Sequence, residues 1–311
     1  MKKFIFTAML VLAAVSAYGQ DMKEATEKAK EASATFNAGN FEEALTGFRA
    51  ALELANACGD EGLTLSMSCQ EGIAKASYFI AKQAFEDGNF DEAVAKAEEA
   101  SKVASEFGLD EYVGKNESVI SNAYTKKAGA LMNEKKFDDA AQIYKKLLEI
   151  NPANGPASLN LVRAYLNSGN LDSAKEALEI AKANGKEAEA TKLIGTSFLK
   201  RASISLKEKK YAAAIEDAKE ANLYNENAKA YLIIGQASAS LGKDNDAIAN
   251  LEKYLELTPT AGNAGAISLT IGALYHKAGN KAKAAEYYKK ASADPNPQVK
   301  DNALKQLQAL K

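Results

Sequence analysis

Three kinds of residue in this 311-residue sequence are equipped for chemistry: one histidine, His276, two cysteines, Cys58 and Cys69, and the acid pairs Glu42/Glu43, Asp91/Glu92 and Asp138/Asp139. An imidazole can serve as a base or bind a metal, but zinc takes three or four protein ligands. The run ALYHK at 273–277 supplies none besides His276, which reads as a surface or groove-rim residue, with pH sensing as its other available role. Paired carboxylates can divide acid and base work at a glycosidic bond. Each pair here, however, begins three residues after a Gly or Lys of a turn, in the first turn of a predicted helix, where negative charge complements the helix dipole. No nucleophile stands paired with a base to suggest a hydrolase. The expectation is therefore no catalytic residue, no metal and no cofactor.

Residues 1–19 stand apart from the rest. Lys2 and Lys3 precede the apolar run FIFTAMLVLAAVSA from Phe4 to Ala17, and small residues Ala17 and Gly19 occupy the −3 and −1 positions before Gln20. A basic start, an apolar core short for a bilayer span and a small-residue cleavage site predict a secretory signal peptide over 1–19. The alternative, an uncleaved anchor helix, would call for a stop-transfer pattern, and none follows. No cysteine follows the apolar core to carry a lipid, so the expected location is the periplasm. Removing the leader deletes two lysines and no acid, which takes the formal charge from −2 to −4. That acidity argues against a nucleic-acid partner, and no later segment approaches 18 consecutive apolar residues, so the mature chain is expected to have no transmembrane segment. Cys58 and Cys69 lie on either side of the turn GDEG (59–62). At 1.5 Å per helical residue they fall roughly 10 Å apart, too far for a disulfide, and are expected as free, mostly buried thiols. Asn116-Glu117-Ser118 matches a glycosylation acceptor but lies in a predicted helix and is discounted.

What must position any functional residue is a repeat. Gly or Lys, a polar residue, an aromatic or Leu, two variable positions and Ala recur in GNFEEA (39–44), GNFDEA (88–93), KKFDDA (135–140), GNLDSA (169–174) and KKYAAA (209–214). Degenerate copies follow in GKDNDA (242–247) and GNKAKA (279–284). The anchor alanines are Ala44, Ala93, Ala140, Ala174, Ala214, Ala247 and Ala284, spaced 49, 47, 34, 40, 33 and 37 residues apart. A period near 34 with helical apolar spacing implies stacked helix-turn-helix units, because neither helix of a pair buries its apolar face alone. The position twelve before each anchor is also small, Ala32, Ala81, Ala128, Val162, Ala202, Gly235 and Gly272, so two helices can approach closely there. The wider early spacings predict long helices near 63–87 and 110–134. Arg201 is placed to pair with Asp217. After the repeats, Asn296 as N-cap, Pro297 at the first helical position and the stripe Val299, Ala303, Leu307 and Leu310 predict a capping helix within 294–311.

These residues resemble the tetratricopeptide repeat family. GPASLNLVRAYLNSGNLDSAKEALEIA (155–181) carries Leu161, Tyr165, Gly169, Ala174 and Ala181 at the family's signature spacings, and the segment 228–259 carries Tyr231, Gly235, Ala247 and Pro259. The resemblance covers essentially the whole mature chain, with repeats one to three closer to 42-residue variants. It implies an all-α fold, an α-α superhelix of about seven repeats over 20–293 whose concave side is lined by the first helix of each pair.

On a helix, positions 15, 11 and 8 before each anchor fall on one side. In repeats four to seven the first series is Leu159, Leu199, Leu232 and Leu269. The second includes Arg163 and Gln236, the third Leu166, Leu206 and His276, and Lys207, Lys229 and Lys277 lie nearby with no acid among the inner residues. An apolar, basic groove suits an extended or helical segment with apolar anchors and an acidic flank, although the leucines can equally serve as packing between first helices. The reading is an exported, non-enzymatic scaffold that binds a protein or peptide partner. The alternative is a glycan-binding or uptake accessory protein of the bacterial envelope, for which 13 tyrosines speak and the absence of Trp counts against.

Overall fold

The computed structural model describes residues 19–310, so the predicted leader lies outside the described residues except for Gly19. The described residues form fifteen α-helices and one 3-10 turn, with no strand. None of these helices is long and apolar enough to cross a membrane.

The chain divides into two compact units, 1–157 and 158–311. In the first, α1 (Gly19–Asn37) pairs with α2 (Phe41–Ala57), α3 (Leu63–Glu86) with α4 (Phe90–Glu106), and α5 (Asp110–Asn133) with α6 (Phe137–Ile150). The expected long helices are α3 and α5, 24 residues each. Helix α7 (Gly155–Ser168) straddles the division and leads into α8 (Leu171–Ala183). Then come the pairs α9 (Glu187–Lys207) with α10 (Tyr211–Tyr224), α11 (Ala228–Ser240) with α12 (Asp244–Leu257), and α13 (Ala264–Lys277) with α14 (Lys281–Ala291). Helix α15 (Pro297–Ala309) closes the series, capped by Asn296, whose side chain accepts from the Gln298 N–H. The architecture is all-α, seven helix-turn-helix pairs and a capping helix. Helix α9, at 21 residues, is also longer than its neighbours, which accounts for the spacing of 40.

One turn geometry joins the pairs. After α1, the N–H of Gly39 donates to the Phe36 carbonyl at 3.0 Å and that of Asn40 to the Thr35 carbonyl at 3.1 Å, with Gly39 at φ 89°. These bonds satisfy carbonyls that the helix end would leave bare. In the two turns that carry Lys instead of Gly, the same bonds form and the lysines are forced into the left-handed region, Lys135 at φ 61° and Lys209 at φ 60°. A side chain there costs about 1–2 kcal/mol. Lys135→Gly and Lys209→Gly are each expected to raise stability by about 0.5–1 kcal/mol, since glycine's extra chain entropy offsets part of the relief. Urea denaturation checks this, and an unchanged midpoint in both variants would refute it.

All seven anchor alanines are 0% exposed. The small residues twelve positions earlier are buried with them, and a Cβ added to Gly235 would come within 2.6 Å of the Leu251 side chain. The acid pairs occupy the first turns of α2, α4 and α6 as expected, and Asp91 also pairs with Lys127 of α5. Cys58 and Cys69 are free and buried, and burial pushes the Cys69 thiol up to about 11. Asn116 is 0% exposed and its amide has no hydrogen-bond partner among the described residues, so the acceptor asparagine is inaccessible even though Glu117 and Ser118 are exposed.

Candidate functional site

The last repeat and the capping helix build the site. Gly272 leaves a notch on α13 filled by the ring of Tyr288 of α14, which is almost wholly buried; a Cβ on Gly272 would sit 2.6 Å from that ring. The Tyr275 and Tyr287 hydroxyls both donate to Glu252 Oε1, at 2.8 and 2.9 Å, and so tie α13 and α14 to α12. Burial, then the bond to this carboxylate, pushes the Tyr275 hydroxyl up to about 12 and raises Tyr287 in the same way. Helix α15 packs on α13 and α14 through Ala303, which is fully buried.

Between these helices lies a depression of about 540 Å³ lined by Leu269, Ala273, His276, Lys277, Tyr288, Asn302 and Gln306. Three of the expected partner residues, Leu269, His276 and Lys277, converge here. His276 is half-buried, edge-on to Tyr288 at 6.4 Å between ring centres. Leu269 and Ala273 give the depression an apolar part, and the amides of Asn302 and Gln306 can donate and accept hydrogen bonds. Sequence reasoning missed these two because α15 has no anchor alanine from which to count. Its packed stripe through Val299, Ala303 and Leu307 was the usable signal.

Elsewhere in the second unit the expected residues separate. Leu199 and Leu206 are half-buried against a cluster that includes Ala202, Ile215, Ile233 and Ile234. Leu232 packs on the cluster of Leu251, Tyr254 and Ile271. Leu159 is buried and Leu166 half-buried, whereas Arg163, Lys207, Lys229 and Gln236 are exposed. Arg163 Nη1 donates to Asn160 Oδ1 at 2.9 Å. Lys277 is not without an acid: its ammonium pairs at 2.7 Å with Asp244, which lies on the second helix of its pair and so outside the inner residues. Asp244 opens α12 at the turn position that holds an aromatic or Leu in the first five repeats, so an inner-face reading passes over it.

A second depression, of about 560 Å³, is lined by α8, α9 and α10 residues including Lys175, Phe198, Arg201, Asp217 and Glu220. Arg201 meets Asp217 with two donors, Nε at 2.9 Å, as expected from sequence, and Lys175 pairs with Glu220 at 2.9 Å. These two pairs engage both of the depression's cations on α8 and α9. Among the described residues, no group of three or more His, Cys, Asp or Glu could hold a metal ion.

Profiles of the tetratricopeptide repeat match residues 80–155, 131–195, 228–260 and 267–293, together more than half of the chain. The chain belongs to the tetratricopeptide repeat family. The tetratricopeptide matches cover parts of both units, including the last pair, α13 and α14. No curated protein matches the chain. Among solved structures, MamA is 26% identical, with 56% of this chain and 96% of that one covered and a TM-score of 0.32. YrrB, described as a TPR protein with an unusual peptide-binding site, is 22% identical over 59% of this chain and 91% of its own, at a TM-score of 0.31. The TPR domain of P58(IPK) is 15% identical over 93% and 98%, at 0.31.

Proposed function

We propose that this tetratricopeptide repeat chain is an exported, non-enzymatic scaffold that holds a peptide or protein partner on the first-helix face of its second unit. The depression at α13, α14 and α15 is the main contact region. The observation that carries this reading is the convergence of Leu269, Ala273, His276 and Lys277 with the amides of Asn302 and Gln306 around one depression. An apolar anchor of the partner fits against Leu269 and Ala273, and the amides hold its backbone. The exposed Lys207 and Lys229 favour an acidic flank. Export rests on the basic, apolar and small-residue pattern of residues 1–19.

Crosslinking capture from envelope fractions, run with mature protein and with Leu269→Asp and Asn302→Ala/Gln306→Ala, tests the site. A partner recovered by the parent and lost from both variants supports it. Equal recovery by all three, recovery of polysaccharide instead, or no specific recovery overturns it. Leu199→Asp and Leu232→Asp make poorer probes, because both leucines pack on buried clusters. N-terminal sequencing of periplasmic material should begin at Gln20, and an intact Met1 would refute processing.

A further inference from the structure

The final turn of α13 and helices α14 and α15 reverse the charge of the chain. Residues 277–311 carry eight lysines against three acids, a formal +5, whereas the mature chain as a whole carries −4, so residues 20–276 carry −9. On α14, Lys281 and Lys289 lie on one flank of the buried face and Lys283 and Lys290 on the other. On α15, Lys300 stands one turn before Leu304 and Lys305 directly after it. All six lysines are exposed, and Leu304 is 42% exposed.

The nearby acids are mostly occupied. Glu286 pairs with Lys290 at 2.8 Å, and Asp244 holds Lys277. Asp294 accepts from the Asn296 N–H at 2.8 Å and lies against Gly265 in the first turn of α13, where its charge suits the helix dipole. The Lys283 ammonium lies 5.4 Å from the Tyr275 ring. Among the described residues, Lys281, Lys289, Lys300 and Lys305 have no ion-pair partner, and Asp301 is the acid left between the last two. None of these four lysines lines the α13–α15 depression. Helical rise sets Lys281 and Lys289 about 12 Å apart, and α15 packs on α14, so the free ammoniums spread over two adjoining helices instead of meeting at one point. Such a spread matches a laterally extended anionic surface. A leucine among flexible lysine stems can enter the apolar layer of that surface while the ammoniums stay at its charged level.

We propose that α14 and α15 form a peripheral docking surface for a bilayer rich in anionic phospholipid. Lys281, Lys289, Lys300 and Lys305 meet the headgroup phosphates, and Leu304 reaches the acyl boundary. The −9 charge of residues 20–276 is repelled by the same surface, which orients the chain with α14 and α15 toward it.

Mature protein, which lacks the apolar run Phe4–Ala17 that would itself enter lipid, is sedimented with phosphatidylglycerol or phosphatidylcholine vesicles at about 0.1 M salt. Binding to phosphatidylglycerol should be at least about tenfold tighter and should weaken as salt rises to about 0.5 M. Lys289→Gln/Lys300→Gln/Lys305→Gln should lose at least about tenfold, each lysine contributing up to about fivefold, and the matching triple Arg variant should keep parental binding. Lys96→Gln/Lys102→Gln/Lys126→Gln makes the same change of net charge at exposed positions of α4 and α5 and should lose less than about twofold. Leu304→Gln should lose about three- to tenfold. All substituted side chains are exposed, and matching melting curves establish that the variants fold. Equal binding to the two lipids, no binding, an equal loss in the control triple, or indifference to Leu304→Gln would each overturn the proposal. So would tighter binding to soluble polyglutamate than to phosphatidylglycerol, the mark of an acidic protein partner.

Discussion

Gly62→Ala should destabilise the first unit by about 2–4 kcal/mol, a large effect for one methyl group. Gly62 ends the 3-10 turn Gly59–Gly62 between α2 and α3. Its backbone is ordinary, φ −81° and ψ −12°, so strain in the glycine is not the cause. A Cβ there would lie 1.8 Å from the carbonyl oxygen of Ala55 and 2.7 Å from its carbon. Both are backbone atoms near the end of α2, which cannot rotate aside as a side chain would. The start of α3 must lift away, opening the cluster of Ala51, Ala55, Leu65 and Cys69. Denaturation reads the loss, and reaction of Cys69, buried in the parent, with a thiol reagent reads the opening. Gly59→Ala is the control: φ is 59° with nothing near the added atom, so about 1–2 kcal/mol of backbone cost is expected without faster Cys69 labelling. Parent-like stability and labelling in Gly62→Ala would show that the turn yields.

Tyr288→Ala should cost about 3–5 kcal/mol in the second unit. Tyr288 is the largest fully buried side chain among the described residues and fills the space left by Gly272. Removing it leaves a hole under the depression that the helices on either side, tied through Glu252, cannot readily collapse to fill. Tyr288→Phe, which keeps the ring, should cost under about 1.5 kcal/mol. Gly272→Ala pushes on the same ring, so Gly272→Ala combined with Tyr288→Leu should cost less than the sum of the two. Hydrogen exchange should show the change in α13–α15 and leave α1–α6 at parent protection, since repeats couple chiefly to neighbours. A Tyr288→Ala loss under about 1 kcal/mol would mean the notch closes on its own.

The repeat was legible because its signals are local. Gly39 ends a helix by its own backbone freedom, Ala44 admits a neighbour by its own size, and Arg201 and Asp217 face each other because one turn length joins their helices. The capping helix followed from Asn296, Pro297 and the stripe around Ala303. Residues whose roles depend on the stagger between helices were not legible. Asn302 and Gln306 join Leu269 only through the angle at which α15 docks, and Tyr78 meets Tyr112 only through the offset of α3 against α5. The partner of Lys277, Asp244, was not legible because it stands at a turn position that carries Phe, Leu or Tyr in the first five repeats. The leucines at 199, 206 and 232 share a side of their helices, yet the same spacing that faces a groove also faces the next first helix.

Helix α15 is held by a single fully buried residue, Ala303, with Val299, Leu307 and Leu310 half-buried. It also supplies the two amides of the depression. If the proposed partner binds there, the surface it needs is complete only while that helix is docked, and its apparent affinity would be scaled by the docked fraction. On the proposed reading, the chain from Pro297 onward would be less a stopper at the end of the stack than one jaw of a clasp that its partner holds shut.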